Sequence, residues 1–274
     1  KSTLLNAILG ERIAIVSPKV QTTRHRILGF LTEDNYQIVF SDTPGIIDPK
    51  YKLHNKMMGQ VHSAIEDADV AILMYDLTED VDAFIEIIKG LRLKAPTILL
   101  LNKIDIVKDK AIQQQVQEKL EAALKPKKTL LISAAQQTNT DAIIPSILEY
   151  LPENPPFYPE DDISDRPVKF FVSEMIREQI YFIYDKEIPY HTAVIIQSYK
   201  DLPHIVRIQA DIVVTRETQK MIMLGTKGAL IKKLGTQARE NIEKFLDKKV
   251  FLELFVKVRP KWRENDLYLK EYGY

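Results

Sequence analysis

Short apolar runs alternate with segments of helical period along the first half of the chain. The pattern predicts helix over 1–9, strand over 36–41, helix over 53–67, strand over 70–75, helix over 81–93 and strand over 97–102. Helix follows at 109–124, strand at 128–133 and helix at 140–150. Runs such as Val70–Tyr75 and Ile98–Leu101 are apolar on both faces, as strands of a helix-covered parallel sheet must be. An α/β domain with a mostly parallel sheet is expected, and such sheets bind ligands at the C-terminal ends of their strands.

Proline then interrupts the pattern at Pro152, Pro155, Pro156, Pro159 and Pro167, with an acidic patch at Glu160-Asp161-Asp162. Proline at this density stops both helix and sheet and makes a stiff linker. We therefore expect a first domain over 1–151, a linker over 152–166 and a second domain over 167–274. The second domain reads as α+β: helix near 168–184, strands near 192–199 and 205–214, helices near 228–247 and a strand at 249–258.

Composition narrows the chemistry. The chain has 274 residues, enough for two domains, and no cysteine, which excludes disulfides and thiolate metal sites. Its five histidines lack metal-ligand spacing, and His54, His62, His191 and His204 are expected to be structural. No apolar run approaches the roughly 20 residues a membrane-crossing helix needs. Lys1 is not an initiator methionine, so the natural N-terminus, with any targeting signal, is expected to lie upstream. The formal net charge of zero divides unevenly: residues 1–165 hold 18 Lys/Arg against 24 Asp/Glu, and residues 166–274 hold 20 against 14. A second half at +6 suits an anionic partner, although a solvated basic face gives the same count.

Three turns follow predicted strands. In Asn102-Lys103-Ile104-Asp105 an in-plane carboxylate can accept from the ring N–H and the exocyclic amine of guanine, a donor pair adenine lacks. Asn102, Lys103 and Asp105 are the candidate guanine-binding residues. In Asp42-Thr43-Pro44-Gly45, Asp42 can hold Mg²⁺ through water and the Gly45 N–H can approach a terminal phosphate. Ser133-Ala134-Ala135 is the third turn. Lys1-Ser2-Thr3 opens an apolar helix and matches the end of a phosphate-binding loop: Lys1 and Thr3 for phosphate, the Ser2 hydroxyl for Mg²⁺. Turn formation alone explains any one of these, but their order and spacing match a GTPase domain. The polar stretch 17–26 is expected to be a mobile switch loop, with Thr23 as its Mg²⁺ hydroxyl and Thr22 as the alternative. Ile46 stands where many GTPases place a water-orienting glutamine, so slow intrinsic hydrolysis is expected.

In the second domain, Gly225-Thr226-Lys227-Gly228 forms a tight basic loop entering a helix, with Lys232 and Lys233 behind it. A loop of this kind clamps the backbone of single-stranded nucleic acid in KH modules, and its lysines hold phosphate without reading sequence. These six residues are the candidate RNA contacts. Ile222, Leu230 and Ile231 read as core, and Trp262, Tyr268, Tyr272 and Tyr274 as packing aromatics.

Gln21-Thr22-Thr23-Arg24-His25-Arg26, Asp42–Gly45, Asn102–Asp105 and Gly225–Gly228, in this order, make the chain resemble the bacterial Era family across its whole length. The resemblance implies a P-loop GTPase domain followed by a KH domain. It places Ser133 and Ala134 against the guanine. It also implies GTP and GDP as ligands with Mg²⁺ and K⁺ as cofactors, binding to small-subunit ribosomal RNA near its 3′ end, and assistance to small-subunit assembly in the cytoplasm, with peripheral contact at the inner face of the membrane. Family members carry a strand and a glycine-rich loop ahead of the lysine, and without these phosphate binding should weaken. Two other readings stay open from the residues alone: a GTPase whose C-terminal module binds protein, and a non-catalytic RNA-binding scaffold.

Overall fold

In the computed structural model, which describes residues 1–274, the first helix α1 (Ser2–Leu9) stops at Gly10, whose φ of 70° is left-handed. Strands β1 (Ile27–Glu33) and β2 (Tyr36–Asp42) pair with each other, and α2 (Lys52–Glu66) follows. Strands β3 (Ala71–Asp76), β4 (Thr97–Asn102) and β5 (Lys128–Ile132) form a parallel sheet in the order β3-β4-β5. Helices α3 (Val81–Lys89), α4 (Lys110–Leu124) and α5 (Ile143–Leu148) alternate with these strands. Asp80 and Asp109 accept from backbone N–H groups of the first turns of α3 and α4, caps worth about 1 kcal/mol each.

The central strand β4 is apolar on both faces because both are covered. Ile98 and Leu100 join a core with Leu4, Ile38, Ile132 and Ile143, while Leu99 and Leu101 join another with Leu73, Tyr75, Ile85 and Leu120. All four β4 side chains are fully buried. The register aligns Asp76, Asn102 and Ile132 across the sheet, so the C-terminal ends of three strands finish together.

The KH-like part is built from α6 (Val168–Ile183), β6 (Ala193–Asp201), β7 (Val206–Val214), α7 (Glu217–Leu224), α8 (Ala229–Leu246), β8 (Val250–Val258) and α9 (Asp266–Glu271). Its sheet runs β6-β7-β8, antiparallel then parallel. Val172, Ile176 and Ile180 of α6 and Leu234, Ala238 and Ile242 of α8 pack with Ile208, Ala210 and Ile212 of β7. The spacing of four residues along each helix gives the apolar stripe that a sheet face demands.

Two compact units cut across the linear order. One comprises Lys1–Arg12, Gly29–Asp42 and Gln60–Ile163; the other comprises Ile13–Leu28, Thr43–Gly59 and Ser164–Tyr274. The proline-rich stretch is irregular. Gln37 Oε1 accepts from the backbone N–H of Phe157 and Tyr158, and Phe30 stacks on Tyr158 at 3.9 Å, which ties that stretch to the β1–β2 pair.

Several sequence expectations change here. Strand β2 pairs with β1, which the apolar pattern does not announce, instead of joining the parallel sheet. One helix, α8, follows the Gly225–Gly228 loop, and α7 precedes it where no helix was expected. Leu230 and Ile231 pack against the core as expected, but Ile222 is 49% exposed. Stretch 17–26 is part exposed, at Pro18 and Val20, and part buried. Thr23, Arg24 and His25 are buried, and Arg24 donates from its two Nη atoms to the carbonyls of Thr192 and Pro189 at 2.7 and 2.8 Å.

Candidate functional site

The guanine-site candidates lie where β4 and β5 end. Asn102 Oδ1 accepts from the Ala134 N–H at 2.9 Å, which fixes the loop after β5 to the end of β4. That loop is closed by paired backbone bonds between Ser133 and Thr138, and the fully buried Ser133 accepts from the Gln136 N–H. Lys103 has a φ of 73°, a strained value for a lysine, and its ammonium meets Asp76 at 2.5 Å. Asp76, absent from the residues singled out by motif, ends β3 and also accepts from the Thr78 N–H and hydroxyl. Burial acts to raise the Asp76 pKa, but the hydrogen bonds from Lys103 and Thr78 prevail and hold it below the ordinary carboxylate range. A spacing of 27 residues hides this pair from motif reading; the signal is an acidic residue ending the neighbouring parallel strand.

Asp105 is the informative member. Its Oδ1 is buried and has no hydrogen-bond partner. A buried carboxylate oxygen without a donor is costly, on the order of 1–3 kcal/mol or more, and it is complementary to a ligand that brings N–H groups. The ring N–H and amine of guanine are such groups.

At the other candidate position, Ser2 Oγ donates to Asp42 Oδ2 at 2.9 Å. Ser2 opens α1, Asp42 ends β2 and is 6% exposed, and the field of the carboxylate reaches Lys1. Hard oxygen donors paired in this way suit Mg²⁺, which takes few protein ligands and completes its shell with water and phosphate. No cluster of three or more acidic or imidazole groups forms a cation cage elsewhere. Thr3 lies exposed in the first turn of α1. Thr23 and Gly45 fall in the other compact unit from Lys1, Ser2, Thr3 and Asp42. A Cβ built on Gly45 meets nothing within 4 Å, so packing does not require glycine there.

The basic loop has the backbone its glycines suggest. Gly225 adopts φ 69°, ψ 179° and Gly228 adopts φ 78°, ψ 15°, with Lys227 also left-handed at φ 51°. Gly228 N–H donates to the Gly225 carbonyl, which closes a single turn between α7 and α8. Thr226, Lys227, Lys232 and Lys233 are exposed. Trp262 is fully buried and donates from Nε1 to the His191 carbonyl, so it packs and does not offer a stacking face. His191 Nδ1 pairs with Gln219, in keeping with a structural histidine. No helix is long and apolar enough to cross a membrane.

Comparison with known proteins agrees with this geometry. Residues 1–103 match the family described as 50S ribosome-binding GTPase, and residues 187–263 match the KH domain family. GTPase Era of Clostridium kluyveri is 42% identical over 290 residues, covering 100% of this chain and 94% of its own. The chloroplastic GTPase ERA-like protein of Oryza sativa is 42% identical over 280 residues, covering 100% of this chain and 66% of its own. A crystal structure of Era with MgGDPNP and nucleotides 1506–1542 of 16S ribosomal RNA superposes with a TM-score of 0.92 at 37% identity, covering 99% and 93% of the two chains. A variant of Aquifex aeolicus Era bound to GDP and AlF4⁻ gives 0.93 at 36% identity, covering 99% and 94%. With a relative this similar over its full length, and a GTPase domain followed by a KH domain, the chain belongs to the Era family of GTPases.

Proposed function

We propose that this GTPase binds small-subunit ribosomal RNA near its 3′ end through the loop Gly225–Gly228 and assists assembly of the small subunit in the cytoplasm, its nucleotide state governing RNA engagement. The observation that carries the RNA reading is the exposed turn with two left-handed glycines and the Lys227 side chain between them. Backbone free of Cβ atoms can approach a phosphodiester closely, and Lys227, Lys232 and Lys233 supply positive charge to it. The Era relative crystallised with 16S ribosomal RNA supports the choice of RNA.

Within the nucleotide site, Asp105 accepts the two guanine N–H donors, Asn102 holds the Ala134 N–H in place beside Ser133, and Lys103 is oriented by Asp76. Lys1 and Thr3 would meet phosphate, and the Ser2 hydroxyl, with Asp42 acting through water, would hold Mg²⁺. Mg²⁺, present with GDPNP in the Era relative, would neutralise phosphate charge beside Ser2 and Asp42, and K⁺ would add further positive charge, since Ile46 offers no polar group to orient water. Slow hydrolysis without RNA follows from that apolar side chain.

The test uses the full-length protein and a single-stranded ribosomal 3′-end oligonucleotide. Affinity should fall steeply with salt, differ between GTP and GDP, and drop at least tenfold with Gly228→Asp, which sets a carboxylate in the loop. Equal affinity for that variant, or binding indifferent to salt, refutes the assignment of the loop.

A further inference from the structure

A cavity of about 80 Å³ lies within the second compact unit, walled by His25, Arg166, Ser173, Glu174, Arg177 and Tyr274. It belongs to neither the nucleotide nor the RNA candidates. Five buried side-chain polar atoms in the chain lack a hydrogen-bond partner, and three of them, His25 Nδ1, Arg166 Nε and Arg177 Nη1, belong to this one wall. Buried donors left unpaired are costly, so their convergence on one space points to something that occupies it.

The partners of each residue show what is left over. Arg177 is 1% exposed; its Nε donates to Glu174 at 2.8 Å and its Nη2 to Glu174 and to the Thr22 carbonyl, which leaves Nη1. Arg166 Nη2 donates to the Arg26 carbonyl at 2.6 Å, while its Nε stands 3.6 Å from Asp165, too far for a hydrogen bond. Ser173 Oγ gives its proton to the Phe170 carbonyl. The His25 ring is stacked on Tyr274 at 4.3 Å and edge-on to Phe170 at 5.4 Å, which fixes the plane of its imidazole.

Guanidinium nitrogens only donate, so the occupant must accept. The charge balance says more. Among the side chains that line the cavity, Arg166 and Arg177 face a single carboxylate, Glu174, a surplus of one positive charge. Water satisfies the donors but leaves that surplus in a poorly solvated place, and a monovalent anion satisfies both. A space of this size admits a halide or a planar oxyanion of bicarbonate size.

We infer that this cavity is a binding site for a small monovalent anion, held by Arg166 Nε and Arg177 Nη1, with His25 adding a third donor as its Nδ1–H tautomer. The anion fastens the segment carrying Thr22 to Arg26 onto α6. That segment contains the candidate switch hydroxyl, but the inference rests only on the cavity and stands or falls apart from any nucleotide or RNA role.

Bromide tests it directly. Crystals of the chain grown in bromide should give an anomalous peak within hydrogen-bond reach of Arg166 Nε and Arg177 Nη1. In solution, replacing gluconate by bromide at fixed ionic strength should raise the melting temperature along a saturating curve, by about 3 °C once bromide is tenfold above its dissociation constant. Bicarbonate is run in parallel, and the lower half-saturation identifies whether halide or oxyanion is preferred. The 30% exposed Arg166 tolerates substitution, and Arg166→Gln should abolish the dependence. An empty anomalous map with melting equal in gluconate, bromide and bicarbonate would show that water fills the cavity and overturn the inference. Full anion dependence retained in Arg166→Gln would place the ion elsewhere and overturn it equally.

Discussion

Gly225 and Gly228 flank the same turn, yet alanine should be tolerated very differently at the two positions. Gly225, at φ 69° and ψ 179°, occupies backbone space that only glycine enters freely, and a Cβ there would stand 2.7 Å from Leu230 Cγ and 3.0 Å from Leu230 Cβ. Forcing the backbone costs about 1–3 kcal/mol, and displacing Leu230, which packs against the core, costs about as much again, so Gly225→Ala should destabilise by roughly 2–6 kcal/mol. Gly228, at φ 78° and ψ 15°, is ordinary left-handed helix, and a Cβ there meets Ile231 Cγ2 at a comfortable 3.9 Å, so Gly228→Ala should cost only about 1 kcal/mol. The single Trp262, fully buried, reports on this part of the chain, so urea denaturation followed by tryptophan fluorescence reads both variants. Truncating the obstructing side chain separates the two costs: Leu230→Ala in the Gly225→Ala background should be less damaging than the sum of the single changes by about 1 kcal/mol or more. A Gly225→Ala midpoint equal to or above that of Gly228→Ala would refute the reasoning.

Three further outcomes follow from the sites. In the full-length protein, Asp105→Asn should weaken GTP binding by roughly 10²–10⁴-fold, since two bonds to a carboxylate at about 1.5–3 kcal/mol each are lost, and should favour xanthosine triphosphate, whose base presents one acceptor and one donor; unchanged GTP affinity would remove Asp105 from the guanine site. Asp42→Ala should raise the Mg²⁺ concentration needed for half-maximal hydrolysis at least tenfold with far less effect on Mg²⁺-free GDP binding, and an unshifted Mg²⁺ titration would separate Asp42 from the metal. His25 is pushed down to about 4 by burial, with Arg177, Arg166 and Arg24 adding to the effect against Glu174, so the unfolded chain takes up its proton near pH 6.5 and the folded chain does not. Stability should therefore hold above pH 6.5 and decline as pH falls toward 4, by about 2 kcal/mol between pH 7.5 and pH 5 from this residue; a His25→Gln variant whose denaturation midpoint falls as steeply over that range would show that other groups carry the slope.

What the sequence discloses is local and what it hides is distant. Asn102, Asp105, Asp42 and Ser2 were legible because each stands within a few residues of the apolar run that positions it. Strand ends in a parallel sheet converge whatever the loops between them. The Gly225 turn was legible for a related reason: left-handed backbone selects glycine one residue at a time, with no need of a partner. By contrast α7 reads Glu217–Leu224 as a mixed string, and its Met221 and Ile222 point outward, so the apolar period that marks a helix is absent.

The polar stretch 17–26 shows most clearly why composition misleads. Its Arg24 and His25 resemble surface residues in every window of sequence, and they are buried because their partners lie far along the chain: the Pro189 and Thr192 carbonyls for Arg24, and Tyr274 for His25. The converse holds on α6, where Glu174, Arg177, Glu178 and Gln179 fall on an amphipathic pattern that would ordinarily face water, yet all four are buried. Glu178 accepts from the Val16 N–H, Arg177 donates to Thr22, and Lys19 reaches the Tyr184 carbonyl and Asp185. Each element supplies what the other lacks: an irregular segment with unpaired backbone groups, and a helix with charges that need partners. Burial of so many polar groups is tolerable only while the two remain together, since separation would leave Arg177 paired to Glu174 but stripped of Thr22, and Arg24 with neither carbonyl. The segment around Thr23 is therefore held by specific directional bonds in addition to the apolar packing of Ile13, Ala14, Ile15 and Ile27.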